Sequence, residues 1–271
     1  MSGNNECSKT AGGNIANGEA AGKRVLDIIS LYPKDMNIYG DYGNVLTVLR
    51  RAKLYGYEPV VHSYNTGDKW PDRCDMILGG GGQDKGQSAI TEDLHKRAEV
   101  LKKLASDGVP MLLICGMYQL FGRYFETVGG EKLSGIGVLD IHTTGQETRM
   151  IGNLVEHTDD FGDIVGYENH SGQTFLHDGG TVALGRVDND GTGNNGEDFT
   201  EGARKNNVIG TYMHGSVLPK NPALADFLIS MAAINRYGVF EPQQDSAQKA
   251  ELERLNVLAK NAARTALSRP R

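Results

Sequence analysis

Apolar residues in this chain fall into short unbroken runs, and between the runs they recur every three or four positions. RVLDIISLYP, bounded by polar residues and Pro33, reads as a buried strand; EPVVHSY and CDMIL read as a second and third. VPMLLIC is apolar throughout, as a strand covered on both faces is. Helices are expected between them. In DYGNVLTVLRRAKLYG, Val45, Leu49 and Ala52 share a face and Gly56 marks the end. In AITEDLHKRAEVLKKLASDG, Ile90, Leu94, Leu101 and Leu104 or Ala105 line up as one helix, and GMYQLFGRYF opens as another. Strand and helix thus alternate four times, which predicts a doubly wound, mostly parallel sheet with helices on both faces. Ligands of such sheets bind at the carboxyl ends of the strands.

From about residue 133 to 214 the pattern changes to short strand candidates, GVLDIHT, IVGYEN, TVALGRV and NVIGTYM, separated by glycine-rich polar loops. The loop DNDGTGNNGEDFTEGARKNN reads as flexible surface. Asn221 and Pro222 suit the N-cap and first position of a helix through PALADFLISMAAINRYG. A last helix follows in DSAQKAELERLNVLAKNAARTALSRPR, with Leu255, Leu258 and Ala262 on one side, expected to pack on the domain. The polar, glycine-rich start carries no apolar period and is expected to be disordered. The predicted organisation is a tail over 1–22, one domain over 23–245 and a C-terminal helix over 246–271.

Charge and composition narrow the function classes. A net charge of −6 over 271 residues provides no basic field, so nucleic acid is not an expected partner. No apolar run approaches the roughly 20 residues of a membrane span, and the N-terminus lacks a basic-then-apolar signal. A cytoplasmic protein is expected. Three widely spaced cysteines, Cys7, Cys74 and Cys115, do not form the close pairs of a structural zinc site, so no metal site is predicted.

Cys115 stands out because LLIC ends a strand and GMYQ starts a helix. A thiol at a helix N-terminus feels the backbone N–H groups and the helix dipole, which favour the nucleophilic thiolate. Gly116 permits a tight turn there. On this stretch alone a plain buried cysteine is the better reading. The run GGGG at 79–82 ends the preceding strand and can present an N–H to an oxyanion beside that of Gly116. It does not fit a nucleotide loop, since no Gly-Lys-Ser/Thr follows. A cysteine nucleophile needs a base. His214, in GTYMHG at the end of a strand, is placed best and His170 in YENHSG second, while His62, His95 and His177 read as ordinary surface or strand-edge residues.

ILGGGG, ICGMYQLFG and GTYMHG together resemble the class I, triad-type glutamine amidotransferases, which have a flavodoxin-like α/β fold, hydrolyse glutamine and pass on ammonia. MNIYGDYGN, GGGGQDK, ICGMYQ, GIGVLDIHT, GYENHSG and GTYMHGSVLPKNP, in that order over about residues 24–245, resemble one subfamily. It comprises the glutaminase subunits of lipid II isoglutaminyl synthases, with the cobyric acid synthase glutaminase domains as close relatives. The resemblance implies Cys115 as nucleophile and His214 as the base that also protonates the leaving nitrogen. It further implies N–H groups near Gly81 and at Gly116 as the oxyanion hole, with Gln119 and Arg149 on the substrate; a guanidinium suits the glutamine carboxylate. Without the family, Arg149 reads as a strand-edge surface residue.

Two departures qualify the likeness. Leu113 and Met117 occupy the glycine positions of the class pattern Gly-x-Cys-x-Gly. Ser216 stands two residues after the histidine, where the class has a glutamate, so the orienting carboxylate is expected from outside this chain, with Asp41 and Glu168 as internal candidates. The subfamily implies a Mur-ligase-like partner as donor, joined to this chain as a heterodimer. ATP and magnesium would belong to that partner, which amidates the α-carboxyl of D-glutamate in lipid II at the inner face of the membrane, and this chain would need no cofactor of its own. Two further readings are a glutaminase serving another acceptor, such as a corrinoid carboxylate, and a binding subunit without turnover.

Overall fold

A computed structural model describes residues 24–189 and 191–269. The tail expected over 1–22, with Cys7, lies outside the described residues, as do Asp190 and the last two residues. Strands β1 (Val25–Leu31), β2 (Glu58–Tyr64), β3 (Met76–Gly79) and β4 (Met111–Ile114) coincide with the four apolar runs. Between them lie a short 3-10 turn (Ile38–Gly40), α1 (Tyr42–Leu54), α2 (Asp84–Lys96) and α3 (Ala98–Ser106). The single helix expected over 89–108 is thus two helices that meet at Arg97. Their apolar residues Ile90, Leu94, Leu101 and Ala105 are buried nonetheless.

After β4 comes α4 (Gly116–Leu120), only one turn long, and then β5 (Tyr124–Glu126) and β6 (Lys132–Ser134). Two long strands, β7 (Ile141–Thr158) and β8 (Gly162–Leu176), pair as an antiparallel hairpin. Short strands β9 (Gly185–Arg186), β10 (Thr200–Glu201), β11 (Ala203–Lys205), β12 (Val208–Thr211) and β13 (Met213–His214) lead to α5 (Pro222–Tyr237) and α6 (Ser246–Leu267).

The central sheet has the order β11-β12-β4-β3-β1-β2, parallel except for the edge strand β11. Leaving out β11, this is the flavodoxin-like order, and its crevice opens at the carboxyl ends of β1, β3 and β4. A second sheet, β10-β9-β7-β5-β6 with β8 and β13 added along the hairpin, was not foreseen as a unit. Its strands mix glycine and polar residues on half-covered faces, so the apolar signal is thin.

Three local expectations change. Asn194, Asn195 and Glu201, in the loop read as flexible surface, are almost fully buried. Asn194 donates to the Gly202 carbonyl at 2.8 Å and Asn195 to the Asp198 carboxylate at 2.8 Å, so side-chain amides replace an apolar core there. Asn221 makes no cap bond; its amide group bridges Val165 N–H, Val165 C=O and Val217 C=O instead. On α6, Leu258 is 48 % exposed and only Ala259 is buried, so Leu255, Leu258 and Ala262 border a groove with Leu46 and Pro219 rather than packing into the core.

Candidate active site

Cys115 sits on the sharp turn between β4 and α4 with φ 48° and ψ −106°, a left-handed conformation that costs a residue with a Cβ about 1–3 kcal/mol. The turn is held from both sides. Cys115 N–H donates to Thr211 C=O of β12 at 2.8 Å, and Gln119 N–H donates to Cys115 C=O at 3.0 Å. The side chain is 8 % exposed and lines a pocket of about 360 Å³ at the carboxyl ends of the central strands.

His214, from β13, lines the same pocket and is fully buried. Its Nδ1–H faces the Asp41 carboxylate, at 3.2 Å from Oδ2 and 3.3 Å from Oδ1. Asp41 is itself buried at the start of α1, on the connection from β1, and its Oδ2 accepts the Gly81 N–H at 2.7 Å. This chain therefore brings one of its two internal candidates, Asp41, to the imidazole, where the carboxylate was expected from the partner. The class spacing after the histidine says nothing of it, because the group comes from a different strand connection. Glu168, the other internal candidate, accepts the Gly193 N–H at 2.9 Å and lies beside His170 instead.

The surroundings tune the ring. Burial pulls the imidazolium down, but the charge of Cys115 and the hydrogen bond to Asp41 outweigh it, and His214 is raised to about 10. With Nδ1 on Asp41, Nε2 has no nitrogen or oxygen partner among the described residues and remains for the thiol. Tyr39, itself left-handed at φ 57°, covers the ring edge-on with centroids 5.0 Å apart.

The two glycines differ in what they do. Gly81 gives its N–H to Asp41, so that amide is committed, and a Cβ here would overlap Cε1 of His214. The neighbouring Gly82 lines the pocket, and its N lies 3.0 Å from where a Cβ on Gly116 would stand. Gly82 therefore packs against Gly116 beside Cys115, while Gly81 seats the histidine. Gly81→Ala should displace the imidazole and lower kcat by about 100-fold, since about 1 Å of misplacement costs that much. Glutamine hydrolysis at saturation measures it, and a kcat within threefold of wild type would remove Gly81 from this role.

Gln119 is 5 % exposed in the pocket wall; its carbonyl accepts from Gln87 Nε2 at 2.6 Å and its amide donates to Tyr212 Oη at 3.1 Å. Arg149 sits where β7 and β8 slip register between Gly145 and Met150. Its guanidinium reaches across to Asn169, with Nη2 2.7 Å from Oδ1 and 3.0 Å from the backbone carbonyl. It is an exposed strand-edge residue, as its sequence context suggested, and it also lines the pocket. His170 lines the pocket too, stacked on Tyr212 at 3.6 Å. His62, His95 and His177 are elsewhere, bonded to Asp27, the Ser134 carbonyl and His142. Burial pushes the Cys74 thiol up to about 12, so it is no rival nucleophile. Asn169, Gln87 and Tyr212 gave no signal in the sequence; they come from β8, α2 and the link between β12 and β13, and only the fold gathers them.

No group of three or more His, Cys, Asp or Glu among the described residues is arranged to hold a metal ion. No helix among them is long and apolar enough to cross a membrane.

Residues 27–222 match the model of the CobB/CobQ-like glutamine amidotransferase domain. The chain is 40 % identical over 245 residues to the lipid II isoglutaminyl synthase (glutamine-hydrolyzing) subunit GatD of Staphylococcus aureus, covering 90 % of this chain and 99 % of that one. It is 39 % identical over 217 residues to the same-named subunit of Streptococcus pneumoniae, covering 79 % and 82 %. A solved glutamine amidotransferase superposes with a TM-score of 0.53 over 76 % of this chain and 98 % of its own, at 15 % identity, a likeness of fold.

Proposed function

The chain belongs to the CobB/CobQ-like glutamine amidotransferase family, and from that premise we propose that it is the glutaminase subunit of a lipid II isoglutaminyl synthase. The identity to two subunits so named, spanning nearly the whole of one of them, supports the acceptor. The observation that carries the chemistry is the row Cys115, His214 and Asp41, the first two lining one pocket and Asp41 buried behind the imidazole.

His214 Nε2 takes the Cys115 proton, and the sulfur attacks the carboxamide carbon of L-glutamine. The oxygen of the tetrahedral adduct takes up negative charge and lies against the Gly82 and Gly116 N–H groups. His214 returns the proton to the nitrogen as the C–N bond breaks, so ammonia leaves and a glutamyl thioester stays on Cys115. A water, deprotonated by the same imidazole, then hydrolyses the thioester to glutamate and free thiol. Asp41 holds Nδ1–H throughout, which keeps Nε2 the reactive nitrogen. Arg149 receives the α-carboxylate of glutamine, Asn169 having fixed the plane of its guanidinium.

Ammonia passes to a Mur-ligase-like synthetase partner, which holds ATP and magnesium, activates the D-glutamate α-carboxyl of lipid II and joins the ammonia to it. The pair works at the cytoplasmic face of the membrane, held by substrate and partner. Co-expression with that ligase tests the reading: the complex should convert lipid II to its D-isoglutamine form with glutamine as donor. If only a corrinoid carboxylate were amidated, the acceptor would be wrong and the glutaminase would stand.

Arg149→Lys keeps a charge and loses the fork. It should raise KM for glutamine about 10- to 100-fold with kcat little changed, as expected for a charged hydrogen bond made equally in ground and transition states. A loss confined to kcat would move Arg149 from binding to chemistry.

A further inference from the structure

Ser216 occupies the position where the wider class resembled by the sequence carries its glutamate, and its side chain is not idle. Directly after His214 the chain turns through two left-handed residues, Gly215 at φ 71° and Ser216 at φ 50°. That turn aims the Ser216 hydroxyl at the loop that ends in Asp41, where it donates to the Gly40 carbonyl at 2.8 Å. Gly43 makes room for it, since any Cβ at 43 would overlap the Ser216 hydroxyl. The accepting carbonyl belongs to the peptide that leads into Asp41.

The Asp41 loop is tied at other points too. Ile38 N–H donates to Gly81 C=O at 3.0 Å, Tyr42 N–H donates to the Asn37 side chain at 2.8 Å, and the Asp41 carboxylate accepts Gly81 N–H. Those bonds fix the loop to the glycine run after β3 and to itself. Ser216 supplies a side-chain bond from the histidine's own turn to the backbone of the carboxylate's loop. Leu218 N–H, donating to the buried Asn44 side chain at 2.9 Å, supports the same join one turn along α1.

We infer that Ser216 is a positioning residue for glutamine hydrolysis, acting through the Gly40–Asp41 peptide to hold the Asp41 carboxylate against His214 Nδ1. Where the class has a carboxylate, this chain has a hydroxyl that braces the loop bearing one. This inference rests on the glutaminase reading and on Asp41 as the orienting group.

A double-mutant cycle on the full chain tests it, using wild type, Ser216→Gly, Asp41→Asn and the double variant. Glycine removes the hydroxyl and tolerates the left-handed backbone, so no strain is added. Ser216→Gly should lower kcat about tenfold, the worth of one lost hydrogen bond, with KM for glutamine within about twofold. In the Asp41→Asn background it should cost nothing further. Where turnover is too slow, the rate of Cys115 alkylation by a glutamine chloroketone analogue gives the same cycle. Equal losses in both backgrounds, a change confined to KM, or no loss at all would overturn the role. A wild-type chain that alkylates but hydrolyses no glutamine, alone or with its partner, would defeat the glutaminase reading, while the alkylation cycle would still decide Ser216.

Discussion

Cys115→Ala should abolish glutamine hydrolysis, with kcat lowered by about 10⁶-fold, the scale found when the nucleophile of a cooperating set is removed. The effect is this large because in the proposed mechanism the sulfur forms the covalent intermediate, and no other residue lining the pocket carries a thiol. Cys74, the other described cysteine, is half-buried at the edge of the core and its thiol bonds the Met76 carbonyl. Binding should survive. Arg149, Asn169 and Gln119 are untouched, so glutamine should bind Cys115→Ala with a Kd close to the wild-type KM in calorimetry. Activity within tenfold of wild type would mean that the nucleophile is elsewhere.

Asp41→Asn should lower kcat by about 10⁴-fold, and the reason is the tautomer. In the variant the Gly81 N–H still needs an acceptor and takes the amide oxygen, which turns the amide N–H groups toward His214 Nδ1. Nδ1 must then accept, Nε2 carries the proton, and the ring can no longer deprotonate the thiol. The pH behaviour should change with it. His214 is raised from 6.5 to about 10, so its protonated form stabilises the fold fully below about 6.5, and that contribution fades as pH rises through about 10. Loss of the Asp41 charge lowers the folded value, so the fading should begin at lower pH, measurable as Tm against pH. Hydrolysis by the chain alone and with the proposed ligase partner separates the sources of the carboxylate. A severe loss in both places it in this chain, and a loss that the partner repairs returns it to the partner.

Much of the central sheet was legible because its strands are buried on both faces and its helices are one-sided. EPVVHSY is β2 residue for residue, and Ile90, Leu94 and Leu101 are buried as their spacing required. Cys115 and His214 were legible for the same reason: each closes an apolar run at the end of a strand, and the fold gathers such ends. Asp41 was one of two internal carboxylates with nothing to separate them, because its distance in sequence from His214, 173 residues, leaves no local pattern. The hairpin of β7 and β8 was split into fragments, since glycines at 145, 152, 166 and 172 interrupt it and one face is wet. The buried loop near Asn194 was misread because polar residues that satisfy one another look, one at a time, like residues that face water.

The left-handed backbone at Cys115 has a consequence for how this protein can change. The turn that exposes the sulfur is one that a glycine would adopt without strain, so the fold would be more stable if the residue it depends on were absent. Selection for stability and selection for turnover therefore pull in opposite directions at this one position. Drift that relaxed the demand for turnover would find glycine there within easy reach, and the result would be a sturdier protein that had stopped being an enzyme.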